Sequence, residues 1–185
     1  MSKRLSQLSE KSDEELANLS QKGDSDAFNL LANRYWHRIH RFLLPMFDHA
    51  TAADVTQQTL LRAYHKIHLF NNKHTFAPWL FTIARRVAIN VEKKESKRRE
   101  TSLVDESLSD VAEENGNSLI QPLWKLALEI LNEKSYQAMH LHYAEDLSIS
   151  EIARIMNRTE TGIKVILFRS RQKLGATAKN RGISL

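Results

Sequence analysis

The sequence predicts an all-α protein built as two small helical domains joined by a flexible linker. Three observations carry that reading. Apolar residues recur every three or four positions along most of the chain, the spacing of one buried helix face. Helix breakers are scarce, with 5 Gly and 3 Pro in 185 residues. Charge is also segregated along the chain. Residues 62–100 carry ten Lys/Arg against three Glu, net +7; residues 101–133 carry one Lys against seven Asp/Glu, net −6; residues 150–185 carry eight Lys/Arg against two Glu, net +6. The acidic stretch ETSLVDESLSDVAEENGNS holds few large apolar residues and reads as a solvated tether. The expected boundaries are a first domain over 1–100, a linker over 101–120 and a second domain over 121–185.

Each element follows from local signals. Ser12 with Glu15 makes a capping box that opens a short helix with Leu16 and Leu19 inward, ended at Gly23. Asp24 or Ser25 caps a second helix on which Phe28, Leu31, Tyr35, Ile39 and Phe42 repeat, stopped by Pro45. Thr51 to Asp54 reads as the start of a third helix running to about Leu69, with Val55, Leu60 or Leu61, Tyr64 and Ile67 on its apolar side. A polar loop over 70–75 follows. The fourth helix starts at Thr75, tolerates Pro78 in its first turn, and buries Phe76, Leu80, Ile83, Val87 and Val91. Beyond the tether, a fifth helix over 122–131 places Leu123, Leu126, Ala127 and Ile130 on one stripe, and a sixth over 132–143 turns Met139 inward.

The last pair forms a helix-turn-helix over 147–174. Ser148 and Glu151 form a second capping box, and Ile149, Ile152, Ala153 and Met156 follow at helical spacing. Asn157-Arg158-Thr159 breaks the pattern, and Thr159 caps the next helix. That helix buries Ile163, Leu167 and Leu174 and leaves Lys164, Arg169, Arg171 and Lys173 for solvent or phosphate. Such a second helix can enter a DNA major groove. The block over 70–99 is the other candidate. Phe70, Phe76 and Trp79 flank a loop of Asn71, Asn72, Lys73 and His74 at the head of a basic helix with Arg85 and Arg86. Aromatic rings beside polar side chains suit unstacked bases. The same spacing also suits Phe76 and Trp79 as ordinary core.

Composition narrows the function classes. A net charge of +5 and a pI near 9.5 favour a polyanionic partner. The absence of Cys excludes disulfides and thiolate metal sites. His37/His40 and His65/His68 sit at i,i+3, yet no acidic residue completes a ligand set at helical spacing, so no metal or other cofactor is expected. No HExxH, phosphate-cradling Gly loop or nucleophile elbow occurs, and no catalytic residue is assigned. The N-terminal residues lack the apolar core of a signal peptide and no run is long enough to span a bilayer, so a cytoplasmic location is expected. A free-standing helix-turn-helix regulator is the alternative reading, and a histidine-dependent metalloenzyme a weaker one.

Two blocks resemble a family. GD at 23–24 with AF at 27–28, ADVTQQTLLRAY at 53–64 and FAPWLFTIARR at 76–86 look like region 2 of the bacterial sigma-70 superfamily, in its small extracytoplasmic-function class. EIA at 151–153, GIK at 162–164 and RSRQKL at 169–174 look like region 4. The resemblance implies a non-catalytic subunit that docks on the clamp of core RNA polymerase through Asp54, Gln57, Gln58, Thr59 and Leu61. It implies that promoter DNA is read at the −10 element by Phe70, Asn71, Asn72, Lys73, His74, Phe76, Trp79, Arg85 and Arg86. The −35 element would fall to Arg158, Thr159, Glu160, Thr161, Lys164, Val165, Phe168, Arg169 and Arg171, and an anti-sigma factor would be a regulatory partner. The chain departs from the pattern at Gln58, where Glu is common, at Arg86, where Asn is common, and at Val165 and Ile166, where Ser and Arg are frequent. An apolar side chain there can meet a thymine methyl but cannot pair bidentately with guanine.

Overall fold

The computed structural model describes residues 3–101 and 120–183, so nearly all of the expected linker lies outside the described residues. The described residues form nine α-helices, a short 3-10 turn and a π turn, with no strand among them. The first domain holds α1 (Lys3–Ser9), α2 (Asp13–Gln21), α3 (Ser25–Leu43), α4 (His49–Lys66), the 3-10 turn Ile67–Leu69 and α5 (Phe76–Thr101). The second holds α6 (Ile120–Ile130), α7 (Glu133–Met139), the π turn His140–Ala144, α8 (Ile149–Met156) and α9 (Glu160–Asn180).

Capping explains most helix starts. Both predicted boxes form: Glu15 N–H donates to Ser12 Oγ and Ser12 N–H to Glu15 Oε2, and the Ser148/Glu151 pair repeats the exchange. Of the two candidates for α3, Asp24 is the cap, accepting from Ala27 N–H at 3.2 Å. The start of α4 differs from expectation. Asp48 caps it, accepting from both Thr51 N–H and Thr51 Oγ1, so the helix begins at His49. Thr51 is therefore a first-turn residue that binds its cap. Helix α1 carries no strong sequence signal; Leu8 pins it to the core, and Arg34 collects the carbonyls of Ser9 and Lys11 behind it.

The first core joins Leu16, Phe28, Leu31, Tyr35, Ile39, Phe42, Val55, Leu80 and Phe81, with Ala52, Ala63, Ala84 and Ala88 allowing close helix approach. The open choice on α4 resolves in favour of Leu60, which is buried, while Leu61 is 57% exposed. The second core joins Leu126, Tyr136, Leu141, Ile152, Met156, Ile163, Leu167 and Leu174. The two cores are continuous. α8 packs along α5, and Phe42 and Phe81 reach the His140 ring at 6.1 and 6.3 Å between centroids.

The helix-turn-helix turn has a specific cause. Asn157 adopts a left-handed conformation (φ 51°), and its N–H and that of Arg158 return to the carbonyls of Arg154 and Ala153. This is the Schellman arrangement, which ends α8 within one residue. Thr159 then caps α9 by accepting from Gly162 N–H at 3.1 Å.

Candidate nucleic-acid interface

Three exposed surfaces correspond to the three expected sites. On α4, Asp54, Gln57, Gln58 and Leu61 face solvent, one turn apart, and Tyr64 and Leu69 extend that face as exposed apolar groups. Thr59 differs from expectation: it is fully buried, and its hydroxyl donates to the Val55 carbonyl inside the bundle. Its role is packing rather than contact.

The loop before α5 is a braced structure. Gln21, at the end of α2, donates through Nε2 to the carbonyls of Ile67 and Phe70 at 2.9 and 2.7 Å and accepts from Asn72 Nδ2 at 2.8 Å. Asn71 Oδ1 accepts from Lys73 N–H, closing an Asx turn. Glu14 accepts from Phe76 N–H at 3.0 Å, satisfying a donor at the start of α5. Phe70, Phe76 and Trp79 form a triad with centroids 5.4–5.5 Å apart. Phe70 and Phe76 are buried and act as the floor, which is the core role the spacing had left open for Phe76; Trp79 is half-buried. Asn71, Asn72, Lys73 and His74 remain exposed above them. Gln21 and Glu14 escaped sequence reasoning because their partners lie 46 to 62 residues away; nothing local marks them.

The basic residues of α5 divide. Arg86 is exposed, whereas Arg85 is largely covered, donating to Gln137 Oε1 at 2.7 Å and lying 3.9 Å from Glu133. Burial pulls Arg85 below the usual guanidinium value; Glu133 opposes that pull and Arg158 adds to it. Burial likewise pushes Glu133 up, with Glu92 adding and Arg85 opposing.

On α9, one stripe (Ile163, Leu167, Ser170, Leu174, Ala178) is buried. The other side exposes Lys164, Arg169 and Arg171 together with Val165 and Phe168, which are 42% and 54% exposed. Arg158, Thr159, Glu160 and Thr161 are exposed at the turn. Every −35 candidate therefore lies on one accessible end or face of α9 and its cap. Among the described residues no helix is long and apolar enough to cross a membrane.

A cavity of about 260 Å³ lies where the loop meets α8. Phe70, Asn71, His74, Pro78 and Trp79 form one wall, and Glu151, Arg154 and Ile155 the other. Thr75 Oγ1 donates to Glu151 across it at 3.1 Å. Further polar contacts between the domains run from Arg85 to Gln137 and Glu133, from Arg38 to Glu145, and from Gln137 Nε2 to Met46 Sδ.

Comparison with known proteins agrees with this geometry. Residues 29–99 match the model of Sigma-70 region 2, and residues 123–174 match Sigma-70 region 4. These two modules, in this order, define a sigma-70 type transcription factor. Among curated relatives, the sigma factor SigM of Bacillus subtilis is 32% identical over 159 residues, covering 81% of this chain and 93% of the relative. The sigma-E factor of Escherichia coli K12 is 28% identical over 175 residues, covering 88% and 92%. Among solved structures, RpoE of Bartonella quintana with the anti-sigma factor NepR superposes with a TM-score of 0.68 at 24% identity over 82% of this chain and 96% of that one. CnrH with the cytosolic domain of CnrY gives 0.64 at 19% over 92% and 99%. The chain belongs to the extracytoplasmic-function RNA polymerase sigma factors, initiation factors that direct transcription from promoters.

Proposed function

We propose that this chain docks on the core polymerase clamp through the exposed face of α4, reads the −10 element with loop 70–75 and α5, and reads the −35 element with α9. Asp54, Gln57, Gln58 and Leu61 are the docking residues. Asn71, Asn72, Lys73, His74, Trp79 and Arg86 meet the −10 strand, with Phe70 and Phe76 supporting them from beneath and Arg85 reaching it once uncovered. Lys164, Arg169, Arg171 and Arg158 contact −35 phosphates, Val165 and Phe168 its base edges, and Thr159, Glu160 and Thr161 its backbone at the helix start. Residues 1–100 and 121–185 are the two readers, working in the cytoplasm.

The observation that carries this is the braced loop: four exposed polar side chains on a fixed backbone above an aromatic floor, the arrangement that holds an unstacked base. The Bartonella quintana relative is solved with an anti-sigma factor, and the shared fold supports a protein inhibitor of that kind here.

In vitro transcription tests the proposal. With core polymerase and a genomic promoter pool, the protein directs initiation at discrete sites; absence of any start site together with absence of core binding overturns the reading. A gel shift with and without core polymerase separates it from a free-standing helix-turn-helix regulator, which would bind duplex operator DNA alone.

A further inference from the structure

We propose that Gln21 on α2 is the positioning residue of the −10 reader, turning the Asn72 amide so that its side-chain oxygen meets an unstacked base carrying an exocyclic amine. This rests on the assignment of loop 70–75 to −10 reading.

One face of α2 holds the loop at both ends. Glu14 and Gln21 lie two helical turns apart on α2, so they share a side of the helix about 10 Å from one another. Gln21 Nε2 donates to the carbonyls of Ile67 and Phe70 where the loop begins, and Glu14 accepts from Phe76 N–H where it ends. The helix that carries them is itself fixed, with Leu16 and Ala17 fully buried. A reading loop held on a rigid element loses less freedom when it captures a ligand.

The same bonds decide which end of the Asn72 amide remains open. Both partners of Gln21 Nε2 are carbonyl oxygens, which only accept, so the amide nitrogen of Gln21 must face them. Its Oε1 is then left for the loop and needs a donor. Asn72 meets it with Nδ2 at 2.8 Å, which leaves Asn72 Oδ1 without a partner among the described residues. Asn71 differs. Its side-chain oxygen already accepts from Lys73 N–H, and its carbonyl from His74 N–H. Of the two adjacent amides, Asn72 is therefore the one with an open side-chain acceptor, and it is exposed. Adenine, guanine and cytosine each carry an exocyclic amine that can donate to such an oxygen. Thymine has none, and its ring N–H lies between two carbonyl oxygens that repel a third. The loop should accept any of the three amines and discriminate against thymine at one position.

The test uses holoenzyme assembled from the full chain and core polymerase. The probe is a fork, duplex through the −35 element with a mapped −10 segment as a single strand. Each single-stranded base is replaced in turn by its amine-deleted analogue: purine for adenine, hypoxanthine for guanine, 2-pyrimidinone for cytosine. In wild type one position should lose about tenfold in affinity. Gln21→Met keeps the side-chain length and removes both hydrogen-bonding ends. It should weaken the parent fork about tenfold, leave core binding unchanged, and abolish the analogue penalty at that same position. Asn72→Ala should abolish the same penalty. A purely structural Gln21 would weaken every probe alike and keep the penalty, and that result overturns the positioning role. So does a wild type with no penalised position. If Gln21→Met loses helix signal, Gln21→Glu, which sets an acceptor against the two carbonyls, carries the comparison with the same expected outcome. Wild-type holoenzyme that binds the fork no better than a duplex ending upstream of the −10 segment would instead overturn the −10 assignment.

Discussion

Lys164 offers a sharp test of the second reader. It projects from the exposed side of α9 and makes no ion pair among the described residues, so Lys164→Ala removes one cation without breaking a structural contact. Each phosphate neutralised on duplex DNA steepens the fall of log K with log salt by about 0.9. Between about 50 and 200 mM salt, a fourfold change, one lost contact flattens that fall by a factor of about 3.5. The ratio of wild-type to variant affinity should therefore shrink about 3.5-fold across the range. The assay is equilibrium anisotropy of assembled holoenzyme on a labelled promoter duplex, titrated at several salt concentrations. Val165→Ala is the internal control. It removes apolar contact from the same face and should lower affinity with an unchanged slope. A Lys164→Ala slope equal to that of wild type would remove Lys164 from the phosphate contacts.

Further expectations concern the scaffold. Ser148→Ala deletes one half of the box that opens α8 and should cost about 1 kcal/mol, seen as a fall of roughly 4–8 °C in the second domain's melting transition; an unchanged transition would show that Glu151 alone suffices. Asn157→Gly should equal or exceed wild type in urea stability, while Asn157→Ala should fall about 1–2 kcal/mol below the glycine variant, because Ala brings a Cβ to this left-handed φ without the short polar side chain that lets Asn adopt it; equal Gly and Ala midpoints would contradict the strained turn.

Most of the helices were legible in sequence because their signals are local. Ser12/Glu15 and Ser148/Glu151 specify helix starts within four residues, and the stripes from Phe28 to Phe42 and from Ile163 to Leu174 specify buried faces. The misplaced start of α4 is instructive. Thr51 to Asp54 resembles a capping signature, but Asp48 three residues earlier accepts from both the Thr51 N–H and the Thr51 hydroxyl, which starts the helix at His49 and turns the Thr51 side chain back onto that cap. Thr59 shows the limit of reading a face from a motif, since a hydroxyl beside Leu60 gives no sign that it turns inward. Gln21, Glu14 and the Arg38–Glu145 pair were invisible for a common reason: polar groups that meet across tens of residues leave no period in the sequence.

The basic charge of the first domain illustrates why composition alone overstates readiness for DNA. Arg85 and Arg86 are adjacent in a run that looks uniformly suited to phosphate. On a helix, one residue is a rotation of about 100°, and that rotation sends Arg86 to solvent and Arg85 against Gln137 and Glu133. The difference matters energetically. An exposed Arg86 meets phosphate with little rearrangement, whereas Arg85 must first leave a partly desolvated site and a 2.7 Å hydrogen bond. It is held there by one neutral amide and a distant carboxylate, and crowded by Arg158. A guanidinium so incompletely paired gains more from a phosphate than a saturated one would. A strand phosphate brought to α5, as proposed, would therefore find in Arg85 a cation already short of partners, and its binding would compete with the Gln137 hydrogen bond for the same side chain.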